Sequence, residues 1–430
     1  MLPYFVPPYG MLAALRAMLA GREAMTGDQV ENLFADQFGI QNAILLPSAR
    51  AGILWGLKAW GSTGMRVVSS VFTCTAVWEA VFRAGAEMDG VDVGPGSFLM
   101  DTTGFSRGPT SKHALVLSEI YGHTYDLRAL RRQPGNQPAL RIVDLAGGLL
   151  HRDIFTRLDP KDLAVISFGR GSKAMYCGWG GMAFTNDRSL GGEIKKIRDA
   201  EIQFPSTRVR YERALRLLLV SLLRTSAGCS IKQGLQSSLR RRRKQINTIP
   251  PSVASEHDCS GIGKEFYSSP TRMERYLMAR NLMNLQGHIE HREELVKRYN
   301  RNLKDIAAVV LPADAGDVLS HYSIRVASEV RNEIVDSLAA AGVEAGRLFF
   351  FSPGMLEYRR FVVTSRFSQK EYPIARRTAA EVINLPLHPG LTSEEVDWIS
   401  EQVRNLVTGT KQEPVKPLNR RVELQSQRPN

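Results

Sequence analysis

Between positions 43 and 187 the chain alternates between two hydrophobic patterns. Short β-rich runs read AILL (Ala43–Leu46), RVVSS (Arg66–Ser70), ALVLSEIY (Ala114–Tyr121), RIVDL (Arg141–Leu145) and LAVISF (Leu163–Phe168). Helix-like runs lie between several of them, among them Arg50–Trp60 and Ala76–Ala84. Strand and helix in alternation predict an α/β unit, a mostly parallel sheet sandwiched by helices. Ligands of such sheets sit in the crevice beyond the carboxyl ends of the strands, which is where chemistry is sought.

The pattern breaks near residue 201. A basic amphipathic stretch, YERALRLLLVSLLR, leads through SLRRRRKQ into a Pro/Ser-rich loop, IPPSVASEH. A second compact region follows: a charged helix HREELVKRYNRNL, a strand HYSIRVA, a helix VRNEIVDSLAAAG, a strand VINLPLH and a closing helix SEEVDWISEQVRNL. This order predicts a small C-terminal α+β domain. The division expected is a large domain over 1–200, a basic insert or linker over 201–275, the small domain over 276–407 and a disordered polar tail over 408–430. No internal repeat is visible.

With 430 residues, 43% of them hydrophobic, the chain can bury a large core in two or three domains. Cys74, Cys177, Cys229 and Cys259 are far apart. Their spacing fits neither a metal site nor a disulfide framework, which points to a reducing, cytoplasmic setting. The N-terminus lacks a basic leader and carries prolines where an apolar leader core would run, so it reads as mature protein. The longest strongly apolar run, Leu217–Leu223, is too short to span a bilayer. A net charge of +13 favours anionic partners, whether nucleotide sugars, acidic lipids or nucleic acid.

Three candidate features lie at strand ends. Asp144 closes RIVDL and precedes the small residues Ala146, Gly147 and Gly148, so its carboxylate is placed to reach a ligand; capping the next turn is the alternative. Lys173 follows LAVISF within the glycine-rich SFGRGSKAMYCGWGG, where the backbone can approach a ligand closely; a solvated loop lysine is the alternative. Ser48, Ala49 and Arg50 join the first strand to a helix whose free N–H groups suit a phosphate, with Arg50 as a charged fork and Ser48 as a plain N-cap. An amine, a carboxylate for a pyridine nitrogen and a phosphate-binding helix end are what pyridoxal 5′-phosphate (PLP) asks of a protein.

These segments resemble the DegT/DnrJ family of PLP-dependent sugar aminotransferases, over about residues 7–200 and 285–405. PSARAGILWGLKAWG is similar to the family's phosphate segment, VFTCTAVWEAVFRAGAEMDGVDV to its ring-stacking segment and EIYGHTYDL to its HLYGQPADM. RIVDLAGG resembles the aspartate segment, SFGRGSKAMYCGWGGMAFTND the lysine segment and VINLPLHPGLTSEEVDWI the C-terminal signature. The resemblance implies a fold type I large domain, a small C-terminal domain and a homodimer with active sites between subunits. It implies a nucleotide-linked keto-sugar as substrate and glutamate as amino donor. By position it makes Asp144 the pyridinium partner, Ser167 a phosphate-side contact and Lys173 the Schiff-base lysine. Cys74 stands where the family places a ring-stacking aromatic, and Gly147 stands where it places a glutamine. Ser172, one residue before Lys173, occupies the common lysine position, so a dehydratase-like or non-catalytic binding or scaffold relative is the alternative.

The insert supports two further expectations. As a helix, Leu215, Leu218, Leu219 and Leu222 share one face. This is either a packing or dimer helix with a solvated basic side, or an interfacial helix that attaches residues 208–245 peripherally to the anionic inner face of a membrane. Nucleic acid is not expected, because no aromatic stacking platform accompanies Arg240–Lys244.

Overall fold

The structure, a computed structural model, describes all residues except 21–23, 104–112, 133–137, 149–152, 170–172, 174, 226–227, 230–265, 313–317, 349–371 and 410–430. Two N-terminal helices, α1 (Met11–Leu19) and α2 (Gly27–Phe38), precede strand β1 (Asn42–Leu46). Helix α3 (Ala49–Trp60), β2 (Arg66–Ser70), α4 (Thr75–Arg83), β3 (Glu87–Val91) and β4 (His113–Ser118) follow. The body continues through α5 (Leu127–Arg132), β5 (Leu140–Asp144), α6 (Asp153–Arg157), β6 (Leu163–Ser167), β7 (Gly181–Thr185), α7 (Arg188–Glu201) and α8 (Thr207–Leu223).

The seven strands form one sheet in the order β1-β7-β6-β5-β4-β2-β3. Five of them, β3, β2, β4, β5 and β6, run parallel, and β7 is antiparallel to both its neighbours. The inner strands are buried on both faces, as helix-covered parallel strands must be. One core lies under α3 and α4, with Trp55, Trp78 and Phe72; the other lies under α1 and α2, with Phe34, Phe168 and Phe184. The parallel strands all end on one edge, so Ser118, Asp144 and Ser167 emerge side by side.

The insert leaves and rejoins this body at one place. Gln203 accepts from the Ser269 amide at 2.8 Å and donates to the Tyr267 carbonyl at 2.7 Å. Beyond it, the helix Arg272–Met283 packs its Leu277, Met278 and Leu282 into the large body's core. The helix Leu285–Leu303 then carries the chain to the small antiparallel sheet of β8 (Tyr322–Arg325) and β9 (Val382–Leu385). There Tyr299 stacks on Tyr322 with ring centroids 4.4 Å apart, and Leu295, Ile324, Leu385 and Ile399 fill the core around them.

Strand β4 is shorter than its apolar run. It ends at Ser118 because Tyr121 takes a left-handed backbone (φ 59°), alone among the described non-glycine residues. Such strain collects where the surroundings over-determine the chain. Here the Tyr121 carbonyl accepts from the Ser320 amide at 2.9 Å and its hydroxyl donates to the Leu348 carbonyl at 2.5 Å. Tyr121 thus ties the sheet edge to the small domain.

Candidate active site

Asp144 ends β5 and is 6% exposed. One of its carboxylate oxygens accepts from the Ala146 amide at 2.9 Å, the other from the Ser118 hydroxyl at 3.2 Å. Ser118 in turn accepts from the Thr73 hydroxyl at 2.8 Å. Three strand ends thereby fix one carboxylate. Burial pushes the Asp144 pKa up, while the Ala146 amide, the Lys173 charge and the Ser118 hydroxyl oppose that rise. A carboxylate this buried, answered by one hydroxyl and one amide, favours a further cationic N–H close by.

Lys173 reaches the same place from the loop after β6. Its Nζ donates to the Ala146 carbonyl at 2.5 Å, two residues past Asp144. Ser172, its rival by sequence position, lies outside the described residues. The loop is braced from outside by α8. Leu217 packs on Gly178, and the Arg213 guanidinium lies 3.8 Å from the Trp179 ring centroid while donating to the Ser269 carbonyl at 2.9 Å.

The third feature is the start of α3. Ser48 is its N-cap, accepting from the Ala51 amide at 3.2 Å. Ala49 opens the helix and is buried. Gly181, paired with Ser167 across the sheet, runs against this turn so closely that a Cβ on it would lie 2.4 Å from the Ser48 carbonyl carbon and 2.6 Å from the Ala49 nitrogen. Ser167, Gly181, Ser48 and Ala49 therefore form one backbone-lined corner at a helix N-terminus, the arrangement that takes anions. A Gly181→Ala substitution is expected to destabilise the protein by about 1–3 kcal/mol through overpacking and to weaken retention of a phosphate-bearing cofactor. Urea unfolding and cofactor content after dialysis measure the two effects.

Arg50 differs from expectation. Its guanidinium lies 3.9 Å from the Glu79 carboxylate and 6.0 Å from the Phe266 ring centroid. The carboxylate and ring draw its charge toward α4, and a guanidinium so engaged offers less to a phosphate. Cys74, half-buried, is the N-cap of α4 next to Thr73, so its thiol starts from the rim of the Asp144 network. Gly147 has a geometric reason: a Cβ there would lie 2.9 Å from the Glu119 carbonyl oxygen. The crossing loop leaves no room for a glutamine.

His321, to which sequence assigns no role, faces the same region from the start of β8. The Ser320 hydroxyl donates to the Gly147 carbonyl, so it accepts from His321 Nδ1–H, 2.8 Å away. That fixes the neutral tautomer and leaves Nε2 as the acceptor nitrogen. Burial, with the charges of Lys173 and Arg292, pushes the imidazole pKa down to about 3. Below its ordinary 6.5 the unfolded chain takes up a proton that the folded chain refuses. The stability tied to His321 is therefore present above pH 6.5 and lost as pH falls toward 3. His321→Asn is expected to flatten the fall in urea midpoint over that acid range.

A buried carboxylate, an amine and an anion corner on one sheet edge specify a chemistry, and comparison with known proteins names its family. Residues 11–215 and 271–404 match the DegT/DnrJ/EryC1/StrS aminotransferase family. The chain belongs to that family. Its members are PLP-dependent sugar aminotransferases. The break in the match, 216–270, begins in the later part of α8 (Thr207–Leu223). GDP-perosamine synthase of Escherichia coli O157:H7 is 23% identical over 381 residues, covering 87% of this chain and 88% of that protein. dTDP-3-amino-3,4,6-trideoxy-alpha-D-glucose transaminase of Micromonospora megalomicea subsp. nigra is 21% identical over 410 residues, covering 93% and 95%. The structure of NtdA from Bacillus subtilis with bound cofactor PMP superposes with a TM-score of 0.68 at 18% identity, covering 93% of this chain and 81% of that one.

PLP fits the residues of this DegT/DnrJ/EryC1/StrS member. The buried Asp144 favours a cationic N–H partner, and the α3 N-terminus presents its first backbone N–H groups at the corner where Gly181 packs against Ser48 and Ala49. The residues that sequence reading missed, Thr73, Ser118, Ser320 and His321, act on the site through other groups, and they come from three separate places: the turn after β2, the end of β4 and the approach to β8.

Proposed function

We propose that this protein transfers the amino group of glutamate to a keto-sugar carried on a nucleotide, working as a cytoplasmic homodimer with PLP held at the sheet edge. The observation that carries this reading is the meeting of Lys173 Nζ with the backbone beside Asp144. Two relatives whose names describe nucleotide-linked amino sugars support the substrate class.

PLP supplies an electron sink for the carbon that bears the amine. Asp144 holds a proton at the ring nitrogen, with Ser118 and Ala146 keeping its two oxygens in place. Ser48, Ala49 and Ser167 would hold the phosphate at the α3 N-terminus, with Arg50, drawn toward Glu79, adding weaker positive charge from the flank. Cys74, at the N-cap of α4, would be the residue nearest the ring face. Lys173 would carry the cofactor, and its Nζ would accept and return the proton that the reaction moves. His321 stays neutral across the physiological range and lends the site a hydrogen-bond acceptor without a second positive charge.

The experiment needs no knowledge of the sugar. The purified holoprotein is mixed with glutamate alone. A shift of the visible band with release of 2-oxoglutarate in proportion to enzyme is expected. An unchanged spectrum and no 2-oxoglutarate would leave only the reading as a dehydratase-like or scaffold relative. Turnover is then sought with nucleotide-linked keto-sugars.

A further inference from the structure

Two helices of the large body are turned inside out. A surface helix ordinarily buries its large apolar residues and shows its small and charged ones. Helix α1 does the reverse. Ala13, Ala14 and Ala17 face the core, while Leu12 (62% exposed), Leu15 and Leu19 (84% exposed) face outward. Helix α8, beside it, buries Arg213, Ala214 and Ser221 along with Leu217, and presents Leu215 (58%), Leu219 and Leu222 (51%). The leucine face expected of the insert exists, apart from the half-buried Leu218, and it points away from the protein. The alanine side of α1 lets it lie close to the core, and Arg213 pins α8 through Ser268, Ser269 and Trp179. The outward leucines are therefore held in place and are not a fraying helix. Adjacent exposed apolar side chains on this scale mark a surface made to be covered.

The charges around the face select what covers it. Arg16 on α1 and Arg208, Arg210 and Arg216 on α8 are all exposed. The one carboxylate on either helix, Glu212, is already bonded to Arg208 at 2.8 Å. A second copy docked symmetrically on this face would set arginines against arginines. An anionic lipid surface accepts both features, burying the leucines at the acyl boundary and meeting the arginines with phosphates. No described helix is long and apolar enough to cross a membrane, so the geometry is that of helices lying in the interface plane.

We propose that α1 and α8 together form an interfacial surface that seats the protein on an anionic lipid bilayer. The sequence pointed only to the insert; α1 supplies half of the apolar face. The proposal does not depend on the catalytic reading.

The test uses the full-length holoprotein and sedimentation with vesicles of phosphatidylcholine, alone or mixed with phosphatidylglycerol. Wild type is expected to pellet with the mixed vesicles and weakly with phosphatidylcholine. The variant Leu12→Ser/Leu15→Ser/Leu215→Ser/Leu219→Ser is expected to lose binding by roughly a hundredfold or more, through lost apolar burial. Arg210→Glu/Arg216→Glu is expected to weaken binding to the mixed vesicles by about tenfold or more and to erase most of the preference for them. Circular dichroism and cofactor content confirm that both variants fold. Wild type remaining in the supernatant, or the serine variant pelleting like wild type, would overturn the proposal. So would sedimentation velocity in which the serine substitutions split a wild-type dimer, since the face would then belong to a second copy of the chain.

Discussion

Replacing Lys173 with alanine is expected to lower amino transfer by about 10³–10⁴-fold while leaving the fold intact. The side chain is half-buried in a loop, and its amine reaches the Ala146 carbonyl at 2.5 Å. Loss of the amine removes both the covalent attachment of the cofactor and the base that moves the proton. The variant should still take up PLP non-covalently through the Asp144 end and the α3 corner, with an altered visible spectrum. Lys173→Arg keeps the charge and not the nucleophile, and is expected to be as inactive as the alanine form. Rate measurements with glutamate, with and without an added amine to replace the missing side chain, separate these roles. Partial rescue by the amine would show the site to be assembled and short of one group only.

The second large effect belongs to Asp144. Asp144→Asn keeps the shape and the bond from the Ala146 amide, reverses the Ser118 bond so that the side-chain amide donates to the hydroxyl, and removes the negative charge. Amino transfer is expected to fall by about 10²–10³-fold, the range for losing one preorganised charge partner in a water-excluded site. Stability without cofactor should rise slightly or stay level, because burial already pushes the pKa of this carboxyl up and the amide escapes the cost of a buried charge. The two outcomes together, less activity and no less stability, distinguish a ligand-directed carboxylate from a turn cap. A turn cap replaced by asparagine changes neither by much. Kinetics and thermal unfolding of the apoprotein measure both.

Much of this architecture could be read from the chain because the decisive strands are continuous apolar runs. β1, β2, β4, β5 and β6 lie under helices on both faces, and their sequences show it. β3 and β7 were not legible for opposite reasons. β3 is an edge strand with Glu87, Asp89 and Gly90, polar enough to pass for a loop, while β7 begins inside the glycine-rich lysine segment. α1 raised no helix expectation because its pattern is reversed, large residues outside and alanines within.

In the site, Asp144 and Lys173 were legible because each ends a strand or follows one directly. Ser118 and Thr73 were not, because a serine inside ALVLSEIY carries no sign that two neighbouring strand ends converge on it. His321 was visible as a residue and mute as to role, since its tautomer depends on the bond that its neighbour Ser320 makes to Gly147, far away in the chain. The direction of Arg50 was equally closed to sequence, because the neighbouring carboxylate on α4 decides it. Strand-end chemistry is local and shows in the sequence; the groups that orient it come from elsewhere in the fold.

Borohydride reduction of the holoprotein, followed by peptide mapping, asks whether Lys173 carries the cofactor beside Asp144. A single modified peptide is expected, with the reduced cofactor on Lys173. A label on another lysine, or a protein that holds PLP and yields no modified peptide, would contradict it.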